Sequence, residues 1–339
     1  MEKKLRLGII GCAKIVENAI INPSKYIDAV ELYAIASRDP ENARRFSNKY
    51  SIKVPLQSYQ EILDDPNVDF VYIALPNTMH SEWAMKAAAA KKHVLVEKPL
   101  CVDAKEIGVL KDICDKNGVY LMEGLMVQHH PWQKEISKII ENKLYGTLRK
   151  IHTHISFTPK YDLAKNYRSD PEKGGGSFYD LSPYWLQFLQ TIKDIKNVPY
   201  DGISLFDGPN NCDMTFKASL TFSDGLASTL ETSFEKPYEA THALYFDTAT
   251  LTIKDMFRSN IGQFKIALAI ENHHTKKMEI KYFPPSNYYE NQLLYFIEVI
   301  RDKKPNIPLE QSMERIALMG KIYKQAYNKF KMGKKYHAL

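Results

Sequence analysis

The sequence predicts two domains of different class: an α/β domain with a doubly wound parallel sheet, then an α+β domain with a large open antiparallel sheet. Three observations carry this reading. The 339 residues leave room for about two domains of roughly 100–200 residues each. Over residues 1–123 short apolar runs alternate with helix-like stretches, the signature of βαβ units. Beyond about residue 210 apolar residues recur at every second position, as they do in half-buried strands.

The elements follow in order. Leu5–Ile10 is a short apolar run ending in glycines, as in a buried parallel strand, and a helix is expected over 13–26. Glu31–Ser37 reads as the next strand, and Pro40–Tyr50 as a helix opened by proline in its first turn. Ser58 and Glu61 have the spacing of a capping box for a short helix. Phe70–Leu75 is a buried strand, followed by an alanine-rich helix to Lys92 and a strand at His93–Glu97. Asp103 and Glu106 open a helix that stops at Asn117-Gly118, and Val119–Gly124 closes the series.

The remaining chain, 124–339, reads as the α+β domain. A helix over 131–142 precedes a strand over 148–158, a turn-rich stretch over 159–177 and a helix from Asp180 to Ile192. Phe216, Ala218, Leu220 and Phe222 share one strand face; Leu226, Leu230 and Phe234 belong to the next strand, across an Asp224-Gly225 hairpin turn. Stretches 241–257, 264–271 and 276–283 continue the meander. Helices over 287–301 and 310–331 finish the chain, the last expected to pack back on the first domain.

Composition excludes several classes. With 44% hydrophobic and 25% charged residues the chain reads as globular. The net charge of +6 is spread among acidic residues, and no basic run marks a nucleic-acid site. Cys12, Cys101, Cys114 and Cys212 show no CxxC spacing, which favours a reducing compartment over a disulfide framework. The cationic residues before Cys12 mimic a signal peptide, but the apolar stretch is shorter than the roughly 7–15 residues of one. No segment approaches the ~18 apolar residues of a membrane span. A cytoplasmic location, without membrane or nucleic-acid partners, is the expectation.

Gly8-Ile9-Ile10-Gly11-Cys12-Ala13 stands between the first strand and the first helix. A dinucleotide diphosphate needs this context: a tight turn, an unobstructed backbone and free N–H groups at a helix start. Gly8, Gly11, Cys12, Ala13, Lys14 and Ile15 are therefore assigned to the cofactor of a Rossmann domain. At the end of the second strand an acid would bind the ribose hydroxyls of NAD, whereas arginine suits the 2′-phosphate of NADP. Ser37 and Arg38 come first there, with Asp39 placed to cap a helix before Pro40, so NADP is favoured over NAD.

Together with that turn, Leu75-Pro76-Asn77-Thr78-Met79-His80, Glu97-Lys98-Pro99 and the run Gly174-Gly175-Gly176-Ser177-Phe178-Tyr179-Asp180-Leu181-Ser182-Pro183-Tyr184 resemble the glucose–fructose oxidoreductase/inositol dehydrogenase (Gfo/Idh/MocA) family over most of the chain. The resemblance implies that Leu75, Pro76, Asn77 and His80 line the cofactor. It further implies that Glu97 and Lys98 reach its nicotinamide end, and that the Lys98–Pro99 bond is cis. Asp180 and Tyr184 are implied to face substrate. Residues four apart do share a helix face.

Hydride transfer to a carbonyl leaves an alkoxide that needs a proton donor and a nearby positive charge. Tyr184 is expected to exchange that proton, Lys98 to orient the oxygen and favour the phenolate, and Asp180 to fix Lys98 or a substrate hydroxyl. Many family members carry histidine where this chain has Tyr184. Asn166, Tyr167 and Arg168 resemble a segment near nicotinamide and substrate, and Gln128 stands at the entry to the second domain, where relatives often have arginine. The paired histidines 129/130, 152/154 and 273/274 do not converge on one ion, and no metal is expected.

The implied activity is a sugar dehydrogenase or ketoreductase acting on a sugar, a sugar derivative or a nucleotide-linked keto-sugar. A glycoside hydrolase using transient oxidation by NAD and a non-catalytic sugar-sensing regulator are the alternatives on this fold. A homodimer or homotetramer through the second domain's sheet is the implied assembly.

Overall fold

The computed structural model describes residues 3–258 and 264–337. They fall into two units: Met1–His129 with Asn287–Met313, and His130–Ser286 with Glu314–Leu339. The first unit thus runs a few residues past 123. The chain 287–313 groups with it, and the C-terminal helix from Glu314 on groups with the second unit.

In the first unit β1 (Leu5–Ile10), β2 (Val30–Ala36), β3 (Val54–Leu56), β4 (Phe70–Ile73), β5 (His93–Glu97) and β6 (Leu121–Gly124) form a parallel sheet in the order β3-β2-β1-β4-β5-β6. Ile9, Ile10, Phe70–Ile73 and Val94–Val96 are wholly buried. Strands apolar on both faces require helices on both sides. Strand order reverses between β1 and β4, and a crevice for ligand opens beyond the strand ends at such a point. The edge strand β3 has no alternation to betray it in the sequence.

Where one helix is expected over 13–26, the chain makes a π-helical turn, Glu17–Ile21, and then α1 (Asn22–Ser24). Pro23 has no N–H to donate, so the ladder slips and Asn22 N bonds Glu17 O five residues back. α2 (Pro40–Tyr50) starts on Asp39, whose Oδ1 accepts from Glu41 N at 3.1 Å. α3 (Tyr59–Asp64) has its capping box: Ser58 Oγ accepts from Glu61 N, and Glu61 Oε2 accepts from Gln57 N. α4 (His80–Ala89) follows β4, and α5 (Lys105–Asn117) ends at Gly118 in the left-handed conformation.

In the second unit come α6 (Pro131–Glu141), β7 (Leu148–Ser156), α7 (Ser177–Gln190), β8 (Tyr200–Ser204), β9 (Thr215–Thr221), β10 (Ala227–Ser233), β11 (Glu239–Phe246), β12 (Ala249–Ile253), β13 (Ala267–Asn272) and β14 (Met278–Tyr282). The strands form a sheet in the order β14-β13-β12-β11-β7-β10-β9-β8, antiparallel except where β7 and β10 run parallel. Trp185 Nε1 donates to Ser228 Oγ at 2.8 Å and ties α7 to this sheet. The stretch 241–257 is broken into β11 and β12, because Asp247 accepts from Thr147 N and Arg149 Nε and so turns the chain. α7 begins at Ser177, three residues before the expected Asp180. α8 (Tyr288–Ile300) belongs to the first unit, and α9 (Leu309–His337) follows it. Among the described residues no helix is long and apolar enough to cross a membrane.

Candidate active site

At the C-terminal end of β1 the chain turns at Gly11, with φ +104°. Its N–H donates to Ala36 O at 2.9 Å, and a Cβ there would lie 2.4 Å from Ala74 O. Glycine is needed because the ends of β2 and β4 close on the turn from both sides. A cleft of about 540 Å³ opens beside it, lined by Gly11, Cys12, Ser37, Arg38, Leu75 and Pro76. These are predicted cofactor residues from three separate strand ends. Ala13, Lys14 and Ile15 follow the turn at the helix entrance but do not line the cleft. Gly8 lies inside β1, where Ile62 Cγ2 would be 2.6 Å from a Cβ, so the structure gives it a packing role under α3.

At the β2 end, Ser37 is buried and Arg38 exposed. Asp39 lines the cleft too, but its Oδ1 caps α2. Cys12 shares a hydrogen bond with Ser37, while burial pushes its thiol up to about 11. Tyr59, Met79 and Trp83, none assigned from sequence, also line the cleft. Tyr59 meets Trp83 edge-on, with ring centroids 5.0 Å apart. The capping box did place Tyr59 in the first turn of a helix, yet only the folded α3 and α4 bring the two rings together.

His80 does not line the cleft. It is 1% exposed, and its ring nitrogens lie 2.8 Å from Leu75 O and 2.7 Å from Pro99 O. The ring therefore clamps the loop after β4 to the loop after β5, behind the wall it was expected to form. Burial lowers its pKa, against the pull of the two carbonyls. Asn77 is likewise buried. Glu97 Oε1 accepts from Tyr72 Oη at 2.5 Å, Lys98 beside it is half-buried, and the Lys98–Pro99 bond is cis. Just beyond, Leu100 N donates to Glu123 Oε1, and Ser312 Oγ donates to Glu123 Oε2 at 2.6 Å. The loop carrying Lys98 is thus pinned from below. Gln128 is half-buried in a 3-10 turn, Met126–His129.

The second unit holds Asn166, Tyr167, Arg168, Asp180 and Tyr184. Asn166 Oδ1 accepts from Arg168 N and caps a 3-10 turn over Tyr167–Ser169. Arg168 Nε donates to Asp180 Oδ2 at 2.9 Å, and the Arg168 guanidinium carbon lies 4.9 Å from the centre of the Tyr167 ring. Asp180 beside it holds the guanidinium firmly charged. Asp180 was assigned to Lys98 or a substrate hydroxyl; in its own unit it orients Arg168. Tyr184, one turn further along α7, is 7% exposed and packs edge-on against Phe257, centroids 4.7 Å apart. Phe257 was not foreseen. Among the described residues no group of His, Cys, Asp and Glu is arranged to hold a metal ion.

Comparison with known proteins bears on both units. Residues 5–125 match a family model described as an oxidoreductase family with an NAD-binding Rossmann fold, and residues 134–252 match the GFO/IDH/MocA C-terminal domain. An oxidoreductase of Rhizobium meliloti is 30% identical over 95% of this chain and 97% of its own. D-xylose 1-dehydrogenase (NADP(+)) 2 of Haloferax volcanii is 26% identical over 95% and 97%. Among solved structures, the 3-ketoreductase of Actinomadura kijaniata with NADP and TDP-benzene shares the fold with a TM-score of 0.86, at 23% identity over 95% of this chain and 98% of that one.

Proposed function

Because the chain belongs to the Gfo/Idh/MocA oxidoreductase family, we propose that it transfers a hydride between NADP and a carbonyl or hydroxyl carbon of a sugar, a sugar derivative or a nucleotide-linked keto-sugar. The observation that carries this reading is the cleft at the Gly11 turn. A Cβ there would strike Ala74 O at the end of β4, and Ser37 and Arg38 stand at the β2 end while Asp39 Oδ1 is engaged in capping α2. An arginine at the end of β2 suits a ribose carrying a 2′-phosphate.

NADP, when bound, supplies or accepts the hydride. Gly11, Cys12, Ser37, Arg38, Leu75 and Pro76 would hold it. Tyr184 would give its phenolic proton to the substrate oxygen in reduction and take it back in oxidation. Lys98 would place its ammonium beside that oxygen, where it stabilises developing negative charge. The Asp180–Arg168 pair would present a fixed guanidinium fork to substrate oxygens. Two relatives support the substrate class: one is named for D-xylose, and the other was solved with TDP-benzene.

The test is a panel of aldoses and nucleotide-linked keto-sugars assayed with NADP⁺/NADPH and NAD⁺/NADH. Steady change in nicotinamide absorbance with at least one sugar is expected. Glycoside cleavage without net absorbance change would replace the reading with the hydrolase, and binding without turnover would replace it with the regulator. Arg38→Ala is expected to raise KM for NADPH about 10- to 100-fold, the value of one or two charge-assisted hydrogen bonds, and to leave NADH almost untouched. Equal effects on both dinucleotides would remove Arg38 from the phosphate site.

The sheet of the second unit is the proposed surface for a second copy. On its face away from α7, Thr229, His152, Ala243, Thr252, Ala269 and Ile280 lie in register across six strands. On edge strand β14 of that face, Met278, Ile280 and Tyr282 are exposed. Small residues and an apolar edge suit face-to-face packing. Sedimentation showing a monomer at micromolar concentration would exclude it.

A further inference from the structure

α7, the helix of Asp180 and Tyr184, lacks a cap of its own. Its N-cap residue is Gly176, with φ +99° and no side chain to offer the first-turn N–H groups. The missing acceptor arrives from Asp213, 36 residues beyond Ser177. Asp213 Oδ2 accepts from Phe178 N at 2.7 Å and from Ser177 Oγ at 2.9 Å, and Ser177 N donates to Asp213 O at 3.0 Å. A Cβ on Gly176 would lie 1.9 Å from Asp213 Oδ1, so the carboxylate occupies the space where an ordinary capping side chain would begin. Asp213, Ser177 and Thr232 are all completely buried, and Ser177 Oγ also lies 3.0 Å from Thr232 Oγ1 on β10.

The contacts form a closed circuit. Gly176 N donates to Arg168 O at 2.7 Å, Arg168 Nε donates to Asp180 Oδ2, and Asp180 N bonds back to Gly176 O. The first turn of α7 is therefore held against the sheet by Asp213 and against the Arg168 segment by Asp180. Rotation or axial slip of that turn would carry Asp180 and Tyr184 with it. A carboxylate at a helix N-terminus also meets the positive end of the helix dipole, which offsets part of the cost of burying it.

We propose that Asp213 is a positioning residue for the reaction: its buried carboxylate caps α7 from outside the helix and fixes the first turn, which carries Asp180 and leads into the turn that carries Tyr184. The proposal rests on the reading of α7 as the substrate-facing helix. It gives the buried acid a part in turnover beyond stability, because the cap and the reacting side chains share two helical turns.

The test measures kcat with the best sugar of the panel, NADPH affinity by fluorescence titration and thermal melting, for Asp213→Ala, Asp213→Asn and Ser177→Ala, with Tyr184→Phe in parallel. Asp213→Ala is expected to lose at least ~30-fold in kcat with NADPH affinity unchanged within about twofold, since the cleft at Gly11 lies in the other unit. Asp213→Asn keeps an acceptor oxygen and is expected to return within about fivefold of wild type. Where Asp213→Ala fails to fold, Ser177→Ala carries the test, with lowered kcat and unchanged NADPH affinity. Wild-type kcat in folded Asp213→Ala or Ser177→Ala overturns the positioning role while Tyr184→Phe is inactive. An Asp213→Asn variant as slow as Asp213→Ala also overturns it. Full activity in Tyr184→Phe fells the reading of α7 and the proposal together.

Discussion

Tyr184→Phe is expected to cut kcat by about 10²–10⁴-fold, the usual contribution of a positioned general acid or base, while NADPH binding stays within twofold or so. Phenylalanine keeps the ring against Phe257, so the loss would report the missing hydroxyl and not a disturbed helix. Lys98→Ala should cost kcat about 10²–10³-fold, as removal of a single group stabilising developing negative charge commonly does. Its neighbours remain pinned: Glu97 by Tyr72, and the following loop by Glu123 and His80. Because residues that act as a unit are non-additive, the double variant should be little slower than the worse single one. Steady-state kinetics with the most active sugar checks all three. Undiminished turnover in both single variants would sink the assignment of this pair.

Gly11→Ala is expected to abolish cofactor binding, with NADPH affinity falling more than ~100-fold. Two costs combine. A non-glycine residue at φ +104° carries roughly 1–3 kcal/mol of backbone strain, and the new Cβ would lie 2.4 Å from a backbone carbonyl that cannot move without moving β4. Gly8→Ala provides the contrast. Its Cβ would press on Ile62 Cγ2 and Val68 Cγ1, side chains that can shift, so stability should fall by about 1–3 kcal/mol with NADPH affinity nearly intact. Isothermal titration with NADPH and thermal melting separate the two. Equal loss of affinity in both variants would mean that the glycine motif acts as one unit, against the geometry.

Much of the first domain was legible because its signals are local. Apolar runs fully buried from both sides, the Ser58/Glu61 box, Asp39 before Pro40, and Gly118 after α5 each act within a few residues of themselves. The lining of the Gly11 cleft follows for a related reason: successive strand ends of a parallel sheet meet at the switch point, which brings Gly11, Ser37 and Leu75 together. The three-residue edge strand β3 escaped, having too few residues for a period to show.

What local patterns could not supply is the set of partners distant in the chain. His80 belongs to a motif expected at the cofactor, yet the fold turns it inward to join two loops. Gly8 reads as part of a phosphate turn, yet Ile62 and Val68 claim its space. Tyr59 and Trp83 become one wall only when α3 and α4 pack. Asp180 engages Arg168 within its own unit, a pairing that no local pattern announced. α7 starts three residues earlier than expected because Asp213, far along the chain, supplies its cap. By itself, then, the sequence determined the doubly wound first domain, the strand-rich second one and the glycine turn, since hydrophobic period and backbone geometry are near-neighbour properties; the candidate reacting residues came with the family resemblance. Tertiary structure alone decided which side chains hold those residues in place, because a buried polar group takes whatever partner folding brings within about 3 Å, regardless of distance along the chain.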